Sequence, residues 1–199
     1  VWTLIKNMCD KSISKNSIMG QTLKRIMNEC SIQNSQYMVI AGYCLHKYKT
    51  VGDLDVIVEE GEPYNKLKNS GLFEISLAKI SNDERLVLKL TDIDDEAEIE
   101  IFPKSRSTGF PSNYYSLNNL QDNNLLICDD YGNPYYGEST SIKQYCEYQV
   151  GNVTLPKPRI EKNLLHLKII LTNVFDAEIK KYCKEQISLL EDFLSKITH

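Results

Sequence analysis

At 199 residues, with 42% hydrophobic and 25% charged side chains, the chain has an ordinary globular make-up, enough for one medium domain or a domain with a small appendage. A formal net charge of −4 excludes a global basic field, so a polyanion would have to be gripped by a local patch. No apolar run approaches the length of a membrane span, no secretory signal is visible, and six cysteines without CxxC or metal-type spacing read as thiols of a reducing, cytoplasmic compartment.

The chain opens on Val1 rather than Met, which fits a processed form, a trimmed form or a fragment of something longer. From Trp2 to Cys30 the apolar spacing is helical, with Leu4, Ile5 and Met8 on one face and Ile18, Leu23, Ile26 and Met27 on another. The polar patch Asp10 to Ser17 predicts a break between two helices, with Asn16 or Ser17 capping the second. Ser31 to Ser35 is a linker into an apolar strand, Tyr37 to Ala41, which stops at Gly42.

Tyr43 to Gly52 connects that strand to a second one, which begins Asp53-Leu54-Asp55 and continues Val56-Ile57-Val58. Residues two apart on a strand point the same way, so Asp53 and Asp55 place two carboxylates on one face while Leu54 and Val56 enter the core. Like charges this close repel, and divalent cations between them relieve the repulsion, so the pair reads as a magnesium site. Gly42 lets the backbone come close to a phosphate, and His46, Lys47 and Lys49 form a small basic cluster before Asp53.

A loop at Glu59 to Pro63 leads to a short helix, Tyr64 to Ser70, ended by Gly71. Phe73 to Ile80 and Arg85 to Leu90 are β-like around the turn Ser81 to Glu84. After the acidic turn Thr91 to Glu96, strict alternation over Ala97 to Phe102 puts Ala97, Ile99 and Ile101 on one face and Glu98, Glu100 and Phe102 on the other. A third carboxylate is thus available if this strand lies beside the Asp53 strand. Glu100 is favoured over Glu98 because Ile99 and Ile101 bracket it.

Lys104 to Asn124 is polar, with a short helix near Ser116 to Gln121. Leu125 to Cys128 and Asn133 to Tyr136 form a hairpin around Asp129-Asp130-Tyr131-Gly132, with the aspartates as turn residues. Ser141 to Cys146 reads as helix, and Gly151 to Pro158 as an extended connector because of its prolines. The strongest helical patterns are Arg159 to Val174 and Ala177 to Ile197, expected to pack together.

The order of apolar strand, Gly42, Asp53-Leu54-Asp55, Val56-Ile57-Val58 and a later Glu-bearing strand resembles the nucleotidyltransferase superfamily, whose fold is shared with polymerase β and poly(A) polymerases. The likeness spans residues 37 to 101. Val153 to Ile160 running into Leu164-Leu165-His166-Leu167-Lys168 is similar to a strand-then-helix segment of the toxin-type branch. There a helical lysine helps bind the triphosphate. Tyr43 stands where the family has Gly or Ser, Gly52 where it often has Ser, and Glu where its third acid is usually Asp.

The resemblance implies an α/β (α+β) fold, with a mixed sheet flanked by helices over residues 1–150 and a C-terminal helical segment, 151–199, packed on that core. It also implies two Mg²⁺ ions held by Asp53, Asp55 and Glu100, with Glu98 as the alternative third ligand, and a nucleoside triphosphate such as ATP contacted by Gly42, Tyr43, Lys49 and Lys168. The reaction would move a nucleoside monophosphate to a hydroxyl of RNA such as a tRNA end, a protein or a small molecule, releasing pyrophosphate. The competing expectation is a catalytically inactive relative that keeps the fold as a binding or scaffold protein, and Tyr43 is the residue that favours it.

Overall fold

The computed structural model describes residues 2–77, 84–91, 97–103, 126–136 and 157–197. Several expected elements lie outside them: the turn at 81–83, most of the acidic turn at 92–96, the loop and short helix within 104–124, the helix at 141–146 and the connector at 151–156. The described chain is mixed α/β and divides into two compact units, Val1–Gly137 and Glu138–His199.

In the first unit a seven-stranded mixed sheet runs in the order β3-β4-β5-β2-β1-β7-β6. The strands are β1 (Tyr37–Ile40), β2 (Asp53–Val58), β3 (Glu74–Leu77), β4 (Glu84–Leu90), β5 (Ala97–Pro103), β6 (Leu126–Cys128) and β7 (Pro134–Tyr136). β1 and β2 are antiparallel, β2 and β5 parallel, and β4 antiparallel to β5. Among the described residues of this unit the α-helices are α1 (Trp2–Glu29) and α2 (Glu62–Asn69).

One face of the sheet carries the main core. Tyr37, Val39, Leu54, Val56, Val58, Leu86, Ile99, Ile101 and Tyr135 meet Met19, Leu23, Ile26 and Met27 of α1 and Tyr64 and Leu67 of α2. These are the alternate positions that the period of two assigns to a single face. The α2 helix is bounded by glycines with positive φ, Gly61 at +95° and Gly71 at +75°, where a side chain would be strained. Its Lys68 and Tyr64 reach Glu84 at the start of β4.

The structure corrects the expected break in the first helix, since α1 runs unbroken for 28 residues. No Pro or Gly interrupts Asp10 to Ser17, and the two residues read as caps are used elsewhere. The Asn16 amide donates to the carbonyls of His46 (2.8 Å) and Lys49 (3.0 Å) and accepts from the Val51 amide (3.0 Å). Ser17 Oγ accepts from the Tyr131 hydroxyl at 2.6 Å. Polar side chains in mid-helix thus bind distant backbone and side chain rather than ending the helix.

In the second unit the described residues form two helices, α3 (Lys157–Asn173) and α4 (Ala177–Ile197), which pack on each other. Pro158, expected in an extended connector, lies in the first turn of α3, where its missing N–H costs nothing. Asp176 starts α4 by accepting from the amides of Glu178 and Ile179. Among the described residues no helix is long and apolar enough to cross a membrane.

Candidate metal centre on the second face of the sheet

The face opposite the main core belongs to the other alternate set. Its apolar members Met38, Ile40, Ile57, Val87 and Phe102 are buried too, so both sides of the central strands are covered. Towards the end of the sheet where β1 finishes and β2 and β5 begin, the set becomes acidic. The parallel register places Asp53 level with Glu98 and Asp55 level with Glu100. Side chains level with one another on adjacent strands share a face, so four carboxylates lie together on strands about 4.8 Å apart.

Burial deepens along this row. Asp53 is exposed, Asp55 and Glu98 are half-buried, and Glu100 is only 8% exposed. Burial pushes the Glu100 carboxyl above its ordinary range; Arg85 opposes the shift, and Asp53 and Glu98 add to it by repulsion. Arg85 Nη1 donates to Glu100 Oε2 at 2.5 Å. Lys89, exposed, stands level with Glu98, so cations from β4 line the row.

The expectation that a Glu-bearing strand lies beside the Asp53 strand therefore holds, and both glutamates lie on the same face of the sheet as the aspartates. The four donors are hard oxygens, the type a magnesium ion takes. Even so, no group of three or more His, Cys, Asp or Glu among the described residues is gathered closely enough to hold a metal ion. Glu100 is turned to Arg85 instead.

The residues expected to contact a nucleotide lie in different elements. The strand β1 stops at Ile40, level with Asp55, and the chain turns through a 3₁₀ segment, Ala41–Leu45, that packs against β2. Gly42 is therefore at the acidic end of the sheet. Tyr43 is 2% exposed, and its ring belongs with the core of the opposite face. It stacks on His46 with centroids 4.4 Å apart and meets Tyr135 edge-on.

The Tyr43 hydroxyl donates to Asp129 Oδ2 at 2.9 Å. It thus stands in the core of the opposite face. Lys49 is half-buried, with its carbonyl bound to Asn16. Lys168 is on α3 in the second unit and pairs with Glu191 of α4 at 2.8 Å, both about half exposed. Gly52 has open space where a Cβ would stand, so the sheet end is uncrowded there.

Two residues outside the expected set shape this region. Arg85 gave no signal in the sequence, because an arginine at the start of an alternating strand is unremarkable until its register is known. Asp129 does sit in the expected turn, yet its carboxylate is buried and accepts from the Tyr131 amide, the Asn133 amide, Asn133 Nδ2 and Tyr43. The acidic doublet Asp129-Asp130 marked the turn but not this role.

The chain was compared with protein-family models, with curated proteins and with solved structures, and none of the three gave a match. The functional reading therefore rests on the residues themselves.

Proposed function

We propose that the acidic row of β2 and β5 is the centre of a magnesium-dependent nucleotidyltransferase, which moves a nucleoside monophosphate from an NTP to a hydroxyl and releases pyrophosphate. One observation carries the reading: Asp53 opposite Glu98 and Asp55 opposite Glu100, on one face, beside the turn that holds Gly42. Asp53 and Asp55 are the primary ligands, and Glu98 or Glu100 supplies the third carboxylate. Magnesium at this position supplies charge neutralisation for phosphate oxygens and activation of an acceptor hydroxyl.

The chain's own groups do the rest. Gly42, in the turn at the acidic end of the sheet, and Lys49, in the segment that leads into Asp53, are the groups assigned to the triphosphate, and the backbone at Gly52 is open; Lys168, suggested by the toxin-type likeness, belongs to the second unit. Tyr43 serves the scaffold of the turn. A single transfer in the cytoplasm, to an RNA end, a protein side chain or a small molecule, suits the acidic balance better than processive synthesis.

A second reading has a specific observation behind it. Glu100 is already paired with Arg85, and a buried carboxylate with an arginine on it has less need of a cation. This favours an inactive relative that keeps the fold as a binding or scaffold protein. Incubation with α-labelled NTPs, Mg²⁺ and candidate acceptors separates the readings. Label transfer with equimolar pyrophosphate, lost in Asp53→Asn, supports the transferase; hydrolysis without pyrophosphate indicates a phosphodiesterase; no turnover supports the scaffold.

A further inference from the structure

On the α1 side of the sheet, beside the turn between β6 and β7, a cleft of about 350 Å³ is lined by Gln21, Lys24, Arg25, Asn28, Glu29 and Tyr131. Small-molecule sites typically occupy about 300–1,000 Å³. The α1 residues recur at the three-and-four spacing of one helix face, and Tyr131 adds an aromatic wall from the turn.

Lys24 is half-buried, unlike the exposed α1 residues around it, and its ammonium is already fixed in place. It donates to Asn34 Oδ1 at 2.7 Å and to the Gly132 carbonyl at 3.1 Å, and it stands 5.9 Å from the centre of the Tyr37 ring. These partners are all neutral. An ammonium has three N–H groups, so one donor is left over and the positive charge is uncompensated by them. Such a group, half out of water and held by others, favours an anion in the cleft at little cost in side-chain entropy.

Arg25 brings a second cation. Its Nε lies 3.9 Å from Glu29 Oε1, beyond hydrogen-bonding reach, with both side chains largely exposed, so its guanidinium is left to a ligand. The Glu29 carboxylate repels a phosphate but accepts from a hydroxyl. We infer that this cleft binds the phosphate monoester of a sugar, with the phosphate on Lys24 and Arg25, a sugar hydroxyl on Glu29 and Tyr131 beside the ring. The cleft lies on the side of the sheet away from the acidic row, and the inference needs no metal.

The test is titration of the full chain, in EDTA, with ribose 5-phosphate, ribose and inorganic phosphate, followed through backbone amide NMR shifts. Ribose 5-phosphate moves the amides of Gln21 to Glu29, Tyr131 and Gly132, and ribose alone does not. It binds about tenfold tighter than inorganic phosphate, as one hydrogen bond to a charged group allows, and Glu29→Gln reduces that preference. Lys24→Met weakens it by about tenfold or more. Arg25→Gln, at an exposed position that the fold does not need, weakens it about threefold and decides the matter even if Lys24→Met fails to fold. AMP is the second arm: affinity about tenfold above that of ribose 5-phosphate assigns the cleft to a mononucleotide with its base on Tyr131, and equal affinity assigns it to a free sugar phosphate.

The inference is overturned if ribose 5-phosphate leaves these amides unmoved, if inorganic phosphate binds as tightly, or if Arg25→Gln binds it as the wild type does. Because EDTA keeps divalent cations away throughout, each of these results is separate from the magnesium reading of the acidic row.

Discussion

The hydroxyl of Tyr43 donates to the buried carboxylate of Asp129 at 2.9 Å, joining the turn after β1 to the β6–β7 hairpin 86 residues later. The bond lies on the core side of the sheet, away from the acidic row. A residue at the place where the resembled family has a small one thus acts through packing. Tyr43→Phe keeps the ring stacked on His46 and removes one of four donors to Asp129, so it costs about 1–2 kcal/mol in chemical denaturation. Mg²⁺ and nucleotide binding stay as in the wild type.

Asn16 holds the segment that leads into Asp53 by three backbone bonds, and the side chain is only 7% exposed. Asn16→Ala leaves two carbonyls and an amide without this partner, and stability falls by about 3 kcal/mol. Hydrogen exchange gives the local readout. The Val51 amide exchanges faster in the variant even under conditions where the core strands remain protected.

Gly20 shows the reverse of its usual liability. Alanine is favoured over glycine inside a helix by about 1 kcal/mol. At position 20, however, a Cβ would stand 2.5 Å from Tyr131 Cδ2 and 3.1 Å from the Tyr43 hydroxyl. The contact with a ring tied to Ser17 has little room to relax, so Gly20→Ala is net destabilising by about 1–2 kcal/mol, measured as a lower denaturation midpoint.

The Glu100 carboxyl holds its proton more tightly in the fold than in the unfolded chain, through burial first, against the opposing pull of Arg85. A carboxyl raised in this way contributes stability that is fully present below its ordinary value of 4.5 and is lost as pH rises through the raised value. Glu100→Gln cannot ionise. The difference in unfolding free energy between variant and wild type therefore moves in favour of the variant from about pH 4 towards about pH 7. A constant difference across that range contradicts the assignment.

Much of the site could be read from alternation alone. Asp53 and Asp55 opposite Leu54 and Val56, and Glu98 and Glu100 opposite Ile99 and Ile101, follow from the period of a strand, and the structure keeps each set on its own face. The helix Ala177–Ile197 also falls where its apolar stripe places it. Features that depend on register or on distant partners were not legible. Arg85 becomes a ligand of Glu100 only once β4 is set against β5, and Asp129 becomes a hub only through Tyr43 and Asn133. Asn16 and Ser17 carry cap-like chemistry, and their partners in the loop and hairpin, invisible in a local window, turn it to another use.

The central claim is that the aspartates of β2, with a glutamate of β5, hold a cation and through it a nucleotide. Isothermal titration of ATP, with and without Mg²⁺, into the wild type and an Asp53→Asn/Asp55→Asn variant tests it most directly. The account predicts heat of binding only when Mg²⁺ and both aspartates are present. Equal binding without Mg²⁺, or undiminished binding by the variant, would contradict it.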